Sequence, residues 1–292
     1  MSATVCEQAH AKVNLVLSVT PGADACGYHE VRTVMCALAL HDEVEIAELA
    51  AGEGTLFSCE PDPLPVGADP SQNLALRAAL AMAEAYGKPL DVRIALNKKV
   101  PSQAGLGGGS SDAAAVIRGL ARLWGCSADD SQMVSVARSL GTDVAFFLHE
   151  VPSYLDGRGD VLREAYAPFC APVVLVKPDA GVSTGVCYRL LDEMATPAPD
   201  AEPMLRALRL GDASQVLSHV ANNMEPAALQ LAPALVEVFS FLRQAESVAA
   251  GPLLCGSGSC VCAFVDKSAD AQRIAAQACE HGWWACATET LA

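Results

Sequence analysis

Pro101-Ser102-Gln103-Ala104-Gly105-Leu106-Gly107-Gly108-Gly109-Ser110-Ser111-Asp112 is the most telling stretch of this chain. A strand-like run, Asp91-Val92-Arg93-Ile94-Ala95-Leu96, leads into it, and a helix-like run, Asp112–Trp124, leads out. Glycine at 105, 107, 108 and 109 frees the backbone and keeps side chains away from a ligand. Ser110 and Ser111 stand where N-cap residues belong. A helix start carries unpaired N–H groups and the positive end of the macrodipole. Strand, glycine loop and helix N-terminus therefore outline a phosphate cradle. One or two glycines would read as a flexible turn; this density, followed by two serines, does not.

Spacing excludes two common phosphate loops. A Walker loop places Lys and Ser/Thr directly after its last glycine, and no lysine follows these glycines. A dinucleotide fingerprint repeats glycine as Gly-x-Gly-x-x-Gly, but after Gly105 and Gly107 the third position is Ser110. Positive charge for a phosphate has to come from elsewhere in the chain.

Val100–Ala114 strongly resembles the ATP loop of the GHMP kinases, the family of galactokinase, homoserine kinase and mevalonate kinase. Four more segments match in chain order. Ala11-Lys12-Val13-Asn14-Leu15 resembles a first motif, and Gly27-Tyr28-His29-Glu30-Val31 resembles a cytidine-recognition segment. Leu140-Gly141-Thr142-Asp143-Val144 resembles the segment that carries a catalytic aspartate, and Cys255-Gly256-Ser257-Gly258-Ser259-Cys260 the third motif of the family. The resemblance implies an α+β, two-lobed GHMP kinase fold. Residues 1–160 would form the N-terminal α+β, ATP-binding lobe and 161–292 a C-terminal ferredoxin-like lobe, with the active site between them. It implies ATP as co-substrate, Mg²⁺, and transfer to the C2 hydroxyl of a cytidine diphosphate sugar alcohol in non-mevalonate isoprenoid precursor biosynthesis.

Composition is compatible with this. A chain of 292 residues is comfortable for two domains, and 52% apolar content is ample for a core. No apolar run reaches the roughly 18 residues of a membrane span, and the first residues lack a basic and apolar signal segment. The expectation is a cytoplasmic protein, monomer or homodimer. A net charge of −15 argues against nonspecific nucleic-acid or anionic-membrane binding. It leaves room for a nucleotide held by a few lysines and helix ends. The twelve cysteines form no Cys-x-x-Cys pair. Cys36, Cys262 and Cys286 sit in or beside apolar runs, which predicts buried free thiols rather than zinc ligands or disulfides.

Strands are predicted at Val13–Val19, Asp42–Glu48 and Thr55–Glu60, and at 91–100 before the glycine loop. Helices are predicted at Asn73–Tyr86, closed by Gly87, and at Asp129–Leu140, stopped by Gly141. In the second half, Val173–Lys177 is a strand and Ser183–Met194 a helix with Ser183 as N-cap. Met204–Glu246 is helical, Pro252–Cys255 and Ser259–Val265 form a hairpin, Ser268–His281 is a helix and Trp283–Thr288 a last strand. Without the helical insertion this order is β-α-β-β-α-β, ferredoxin-like.

The resemblance also implies roles. The loop 101–111 would wrap the triphosphate, with Ser110 and Ser111 reaching phosphate or a Mg²⁺ shell. Asp143 would take the proton of the alcohol; local sequence alone favours a turn or N-cap aspartate, and the resemblance reverses that preference. Lys12, in an apolar strand, wants a carboxylate or phosphate partner and would approach Asp143 and the alcohol; the competing reading is a snorkelling surface lysine. Tyr28 and His29 would read the base, by stacking and by hydrogen bonding. Tyr188 supplies a second stacking face or ordinary core packing. Asn14 would contact the erythritol or diphosphate part, and Asn73 and Lys98 the adenosine end. Rival readings are a GHMP kinase for another alcohol, which needs no base reader, and a non-catalytic nucleotide-binding regulator, which needs neither Lys12 nor Asp143.

Overall fold

The computed structural model describes residues 3–61, 69–127 and 130–292. Two long strands come first, β1 (Thr4–Val19) and β2 (Val31–Glu48). From Ala9 onward every residue of β1 is buried, so Asn14 and Ser18 do not mark a wet face. The predicted strand at Asp42–Glu48 is only the tail of β2. Its earlier part, including the fully buried Val34–Leu38, is a continuous apolar run without alternation.

β3 (Thr55–Glu60) runs parallel to β4 (Val92–Asn97), which pairs antiparallel with β2 from Glu43↔Asn97 to Glu48↔Val92. Between them lies α1 (Leu74–Tyr86), capped by the Asn73 side chain and closed by left-handed Gly87. α2 (Gly108–Trp124) and α3 (Ser131–Leu140) pack with α1. α3 is capped by Asp130; the predicted start at Asp129 lies outside the described residues. Gly141 follows α3 in extended backbone, φ 172°.

The C-terminal part holds β5 (Ser153–Asp156), β6 (Val161–Ala165), β7 (Pro172–Lys177) and α4 (Thr184–Met194). Ser183 occupies the N-cap position of α4, but its side chain makes no capping bond. Next come α5 (Glu202–Leu210), α6 (Ala213–Ser218), the short β8 (Ala221–Asn222), α7 (Glu225–Leu231) and α8 (Ala234–Gln244). β9 (Val248–Leu254), β10 (Val261–Val265), α9 (Ser268–Glu280) and β11 (Trp284–Glu289) close the chain. One four-stranded antiparallel sheet has the order β11-β7-β10-β9. With α5 to α8 set aside this is the predicted ferredoxin-like arrangement, within a GHMP kinase fold of α+β class.

The chain divides into two compact units, but not by one cut near residue 160. The first is Met1–Ala11, Leu40–Ser102 and Gly107–Glu150; the second is Lys12–Ala39, Gln103–Leu106 and Val151–Ala292. In the second unit β5 pairs with the first part of β2, β8 runs parallel to the end of β1, and Leu291 N–H donates to Ala37 O at 2.9 Å. Its core joins Leu17, Val19 and Val31 to Val174, Val176, Phe239 and Val261. Among the described residues no helix is long and apolar enough to cross a membrane.

Candidate active site

Within the second unit, loop residues Gln103–Leu106 are tied by backbone at three points. Lys12 N–H donates to Leu106 O (2.9 Å), Cys260 N–H to Ala104 O (3.1 Å) and Ser259 N–H to Gln103 O (3.3 Å). Gly105 has φ +72°, and a Cβ on it would fall 1.8 Å from the Cys255 carbonyl oxygen. This glycine is demanded by a protein neighbour rather than by a ligand. The 255–260 turn is itself braced. Cys255 N–H donates to Cys260 O (2.9 Å), and Asn222 Nδ2 donates to Leu254 O and Gly256 O, both at 2.8 Å. Ser257 and Thr184 hydroxyls meet at 2.8 Å. The two glycine-rich segments singled out in the sequence are therefore packed together.

Within the first unit the loop becomes a helix earlier than predicted. α2 starts at Gly108, with left-handed Gly107 (φ 72°) as its N-cap. Ser110 and Ser111 lie inside the first turn and do not cap it, because glycine already provides the turn. α1, α3 and α6 are capped by Asn73, Asp130 and Asp212, whereas no side chain caps α2 and no acidic residue lies in its first turn. Its leading N–H groups and dipole are left for an anion. The Ser111 hydroxyl is buried without a hydrogen-bond partner.

Lys98, expected at the adenosine end, is 7% exposed and bonded at 2.5 Å to both Asp42 and Asp112. Asp42 Oδ1 also accepts from Val100 N–H at 2.7 Å and from Lys99 N–H. Burial pushes the Asp112 carboxyl up to about 7; Lys98 opposes this and Asp42 reinforces it. Burial lowers the Lys98 pKa, but the charges of Asp112 and Asp42 outweigh it and the net shift is upward. One cation between two buried carboxylates leaves one negative charge in excess, so both shifts have the same cause. Gly108 packs closely here, since its Cβ would sit 3.0 Å from Val100 Cγ1 and 3.4 Å from Lys98 Nζ. Asn73, the other expected adenosine contact, uses its side-chain oxygen to accept from Ala75 N–H at 3.0 Å.

Lys12 is 4% exposed, which removes the snorkelling reading. Its Nζ donates to Asn14 Oδ1 (2.7 Å), Asn14 Nδ2 to Thr33 Oγ1 (2.9 Å), and the Thr33 hydroxyl to Val16 O (2.8 Å). The last acceptor is a carbonyl, so every donor direction in this buried chain is determined. Asp143 lies in the turn after Gly141, half-buried, in the first unit; Lys12 belongs to the second.

Residues 20–30 form a closed loop. Thr20 N–H donates to Glu30 O (2.9 Å), and Asp24 Oδ1 accepts from Cys26 N–H (2.8 Å) and Tyr28 N–H (2.9 Å). Tyr28 is half exposed, with the Arg158 guanidinium 4.5 Å from its ring centre. His29 meets Tyr188, rings 4.8 Å apart and tilted by 58°, and its Nε2 lies 2.8 Å from Asp192 Oδ1. The structure thus brings His29 and Tyr188 together, while Tyr28 takes a cationic neighbour. All twelve cysteines are free: Cys36 and Cys262 are buried as expected, Cys286 is half-buried, and Cys6, Cys26, Cys170 and Cys279 are exposed.

Comparison with known proteins identifies the family. Residues 73–150 match the GHMP kinases N-terminal domain, and 204–282 the GHMP kinases C-terminal domain. A 4-diphosphocytidyl-2-C-methyl-D-erythritol kinase of Pelotomaculum thermopropionicum is 37% identical over 272 residues, 92% of each chain. That of Symbiobacterium thermophilum is 39% identical over 264 residues, 88% of this chain and 89% of the other. The crystal structure of a 4-(cytidine 5'-diphospho)-2C-methyl-D-erythritol kinase superposes with TM-score 0.81 at 34% identity, over 99% of this chain and 100% of that one. Homoserine kinase from Cytophaga hutchinsonii shares the fold, with TM-score 0.67 at 19% identity over 99% of this chain and 94% of that one. Fold and matched domains define the class, a GHMP kinase, which uses ATP on a small-molecule substrate. Within that class the chain belongs to the family of 4-diphosphocytidyl-2-C-methyl-D-erythritol kinases.

Sequence reasoning missed Asp42, Thr33 and Asp192. Asp112 was in view, but only as the end of the loop. Each of these residues acts through a partner at least 14 positions away, Lys98 in the case of Asp112, and nothing local signals that.

Two outcomes are expected. Gly105→Ala loses at least about 2 kcal/mol of stability, from steric overlap and positive φ, whereas Gly109→Ala, with open space around it, is neutral or slightly stabilising; thermal melts of both variants check this. Asp112 holds its proton up to about pH 7 when folded but releases it near the ordinary 3.8 when unfolded. Its contribution is therefore full below pH 4 and is lost as pH rises through 7. The melting temperature of Asp112→Asn, relative to wild type, should accordingly climb between pH 5 and pH 8.

Proposed function

We propose that this chain transfers the γ-phosphoryl group of ATP to the C2 hydroxyl of 4-diphosphocytidyl-2-C-methyl-D-erythritol, in the non-mevalonate route to isoprenoid precursors. The observation that carries the reading is the uncapped, glycine-led start of α2, with its leading N–H groups and the Ser111 hydroxyl left over. The acceptor is taken from the names of full-length relatives. The loop from Pro101 to Ser111 holds the triphosphate, and Asn73 and Lys98 support the adenosine end through the elements they fix. The reaction is placed in the cytoplasm, and the enzyme works as a monomer or homodimer.

Phosphoryl transfer is mostly positioning and charge management. Asp143 accepts the proton of the C2 hydroxyl as that oxygen bonds to the γ-phosphorus and the bond to the β-phosphate oxygen breaks. Lys12, held by Asn14 and Thr33, stabilises negative charge on the attacking oxygen. Asn14 contacts the erythritol or diphosphate part, and Tyr28, His29 and Tyr188 bind the cytosine. Mg²⁺ prefers hard oxygen donors, and the Ser110 and Ser111 hydroxyls at the helix start are of that kind; Ser111 Oγ has no protein partner. Those two residues would hold the ion, which neutralises charge on the phosphates.

Incubation with Mg-ATP and each candidate alcohol tests the reading. Turnover is expected with the cytidine diphosphate substrate and little with homoserine or mevalonate; comparable turnover of either would sink the substrate assignment. Asp143→Asn should lower kcat by roughly 100- to 10,000-fold with ATP affinity nearly unchanged. A variant that keeps most of its activity would make Asp143 a structural turn residue.

A further inference from the structure

His29 Nε2 lies 2.8 and 3.0 Å from the two oxygens of Asp192. An ionised carboxylate only accepts, so Nε2 carries a proton, and a neutral ring here is the Nε2–H tautomer. Nδ1 is then the acceptor, and it makes no hydrogen bond among the described residues. We propose that Asp192 is a positioning residue that fixes His29 as its Nε2–H tautomer, so that Nδ1 selects a base bearing an exocyclic amine. The inference rests on the cytidine reading above and adds the reason why cytosine, rather than uracil, is accepted. The amine at C4 of cytosine donates to Nδ1; the carbonyl at C4 of uracil would set an acceptor against an acceptor.

The surrounding structure holds this arrangement still. Asp192 Oδ1 also accepts from Gly22 N–H at 2.7 Å, so one carboxylate ties both ends of the segment 22–29 to α4. That backbone bond is the first reason, followed by His29, why the Asp192 carboxyl is held below its usual range and stays ionised. Tyr188, one helical turn before Asp192, packs against the imidazole and limits its rotation. Helix α4 therefore controls both the plane and the protonation of the base reader. A mismatched, desolvated acceptor pair is expected to cost about 10- to 100-fold in affinity.

Binding of CDP and UDP, measured by calorimetry at pH 8, tests the proposal on wild type and on Asp192→Asn. Asparagine keeps the shape but can either accept from Nε2 or donate to it, which unlocks the tautomer. Wild type should prefer CDP by about 10- to 100-fold, and the preference should fall below about 3-fold in the variant, with KM for the cytidine substrate rising by a larger factor than kcat falls. Nitrogen-15 NMR of the imidazole, assigned with His29→Gln, should show the Nε2–H form in wild type and a mixture in Asp192→Asn. A folded variant that keeps the full preference overturns the tautomer inference and leaves the cytidine reading standing. Wild type that binds CDP no better than UDP, or binds neither, overturns both. Should Asp192→Asn not fold, the wild-type spectrum decides: Nε2–H supports the proposal, and an Nδ1–H ring or an imidazolium at pH 8 overturns it.

Discussion

The close approach of Gly105 to the Cys255 carbonyl is the constraint on which the phosphate loop depends. No side chain fits there, and the contact is flanked by backbone bonds to Lys12, Ser259 and Cys260. A loop rich in glycine would ordinarily sample many conformations at a large entropic cost. Here the cost is met by fastening the half of the loop that precedes the helix. Only Leu106 separates Gly105 from Gly107, the N-cap of α2. Fixing one therefore restricts where the helix can begin. The glycines have different reasons to exist: Gly105 for a carbonyl, Gly107 for a left-handed turn, Gly108 for Val100, and Gly109, which meets no protein atom, for the space in front of it.

Two buried polar constructions flank this loop in sequence, and they obey different rules. The Lys12–Asn14–Thr33–Val16 chain runs from cation to carbonyl with each donor matched to an acceptor. Such a chain is rigid because no alternative orientation of the amide satisfies both ends. The Lys98 triad is unbalanced, with two carboxylates on one ammonium and the Asp112 Oδ1 buried without a partner. It holds Val100 and Lys99 N–H groups on Asp42, at the point where β4 gives way to the loop. Breaking one partner of such a cluster costs far more than the cluster contributes net.

Much of this was legible in the sequence because it is local. The glycine loop, the Gly87 stop and the Gly256-Ser257-Gly258 hairpin each declare themselves within about a dozen residues, and the β-α-β-β-α-β order is a succession of such local signals. β2 was half missed, since Val34–Leu38 is buried on both faces and its apolar residues do not alternate. The start of α2 was misplaced by four residues because serine is the commoner cap, while a left-handed glycine does the same geometric job. Asp192 could not be found: it is 163 positions from His29, on a helix whose sequence reads as an ordinary amphipathic segment. Lys98 was noticed as a ligand contact, but its ion pairs with Asp42 and Asp112 were not foreseen.

The interleaving of the two units has a consequence for synthesis. Ribosomes release Lys12–Ala39 early, yet Ala37 and Leu38 are paired with Leu291 and Thr290. The Thr290 hydroxyl accepts from Ala171 N–H at 2.9 Å, and the residue is 1% exposed. That edge of the second unit therefore stays open until residues 290 and 291 have left the exit tunnel. The earliest strands wait for residues that follow β11, and a nascent chain stalled before residue 290 lacks the two that pair with Ala37 and Leu38.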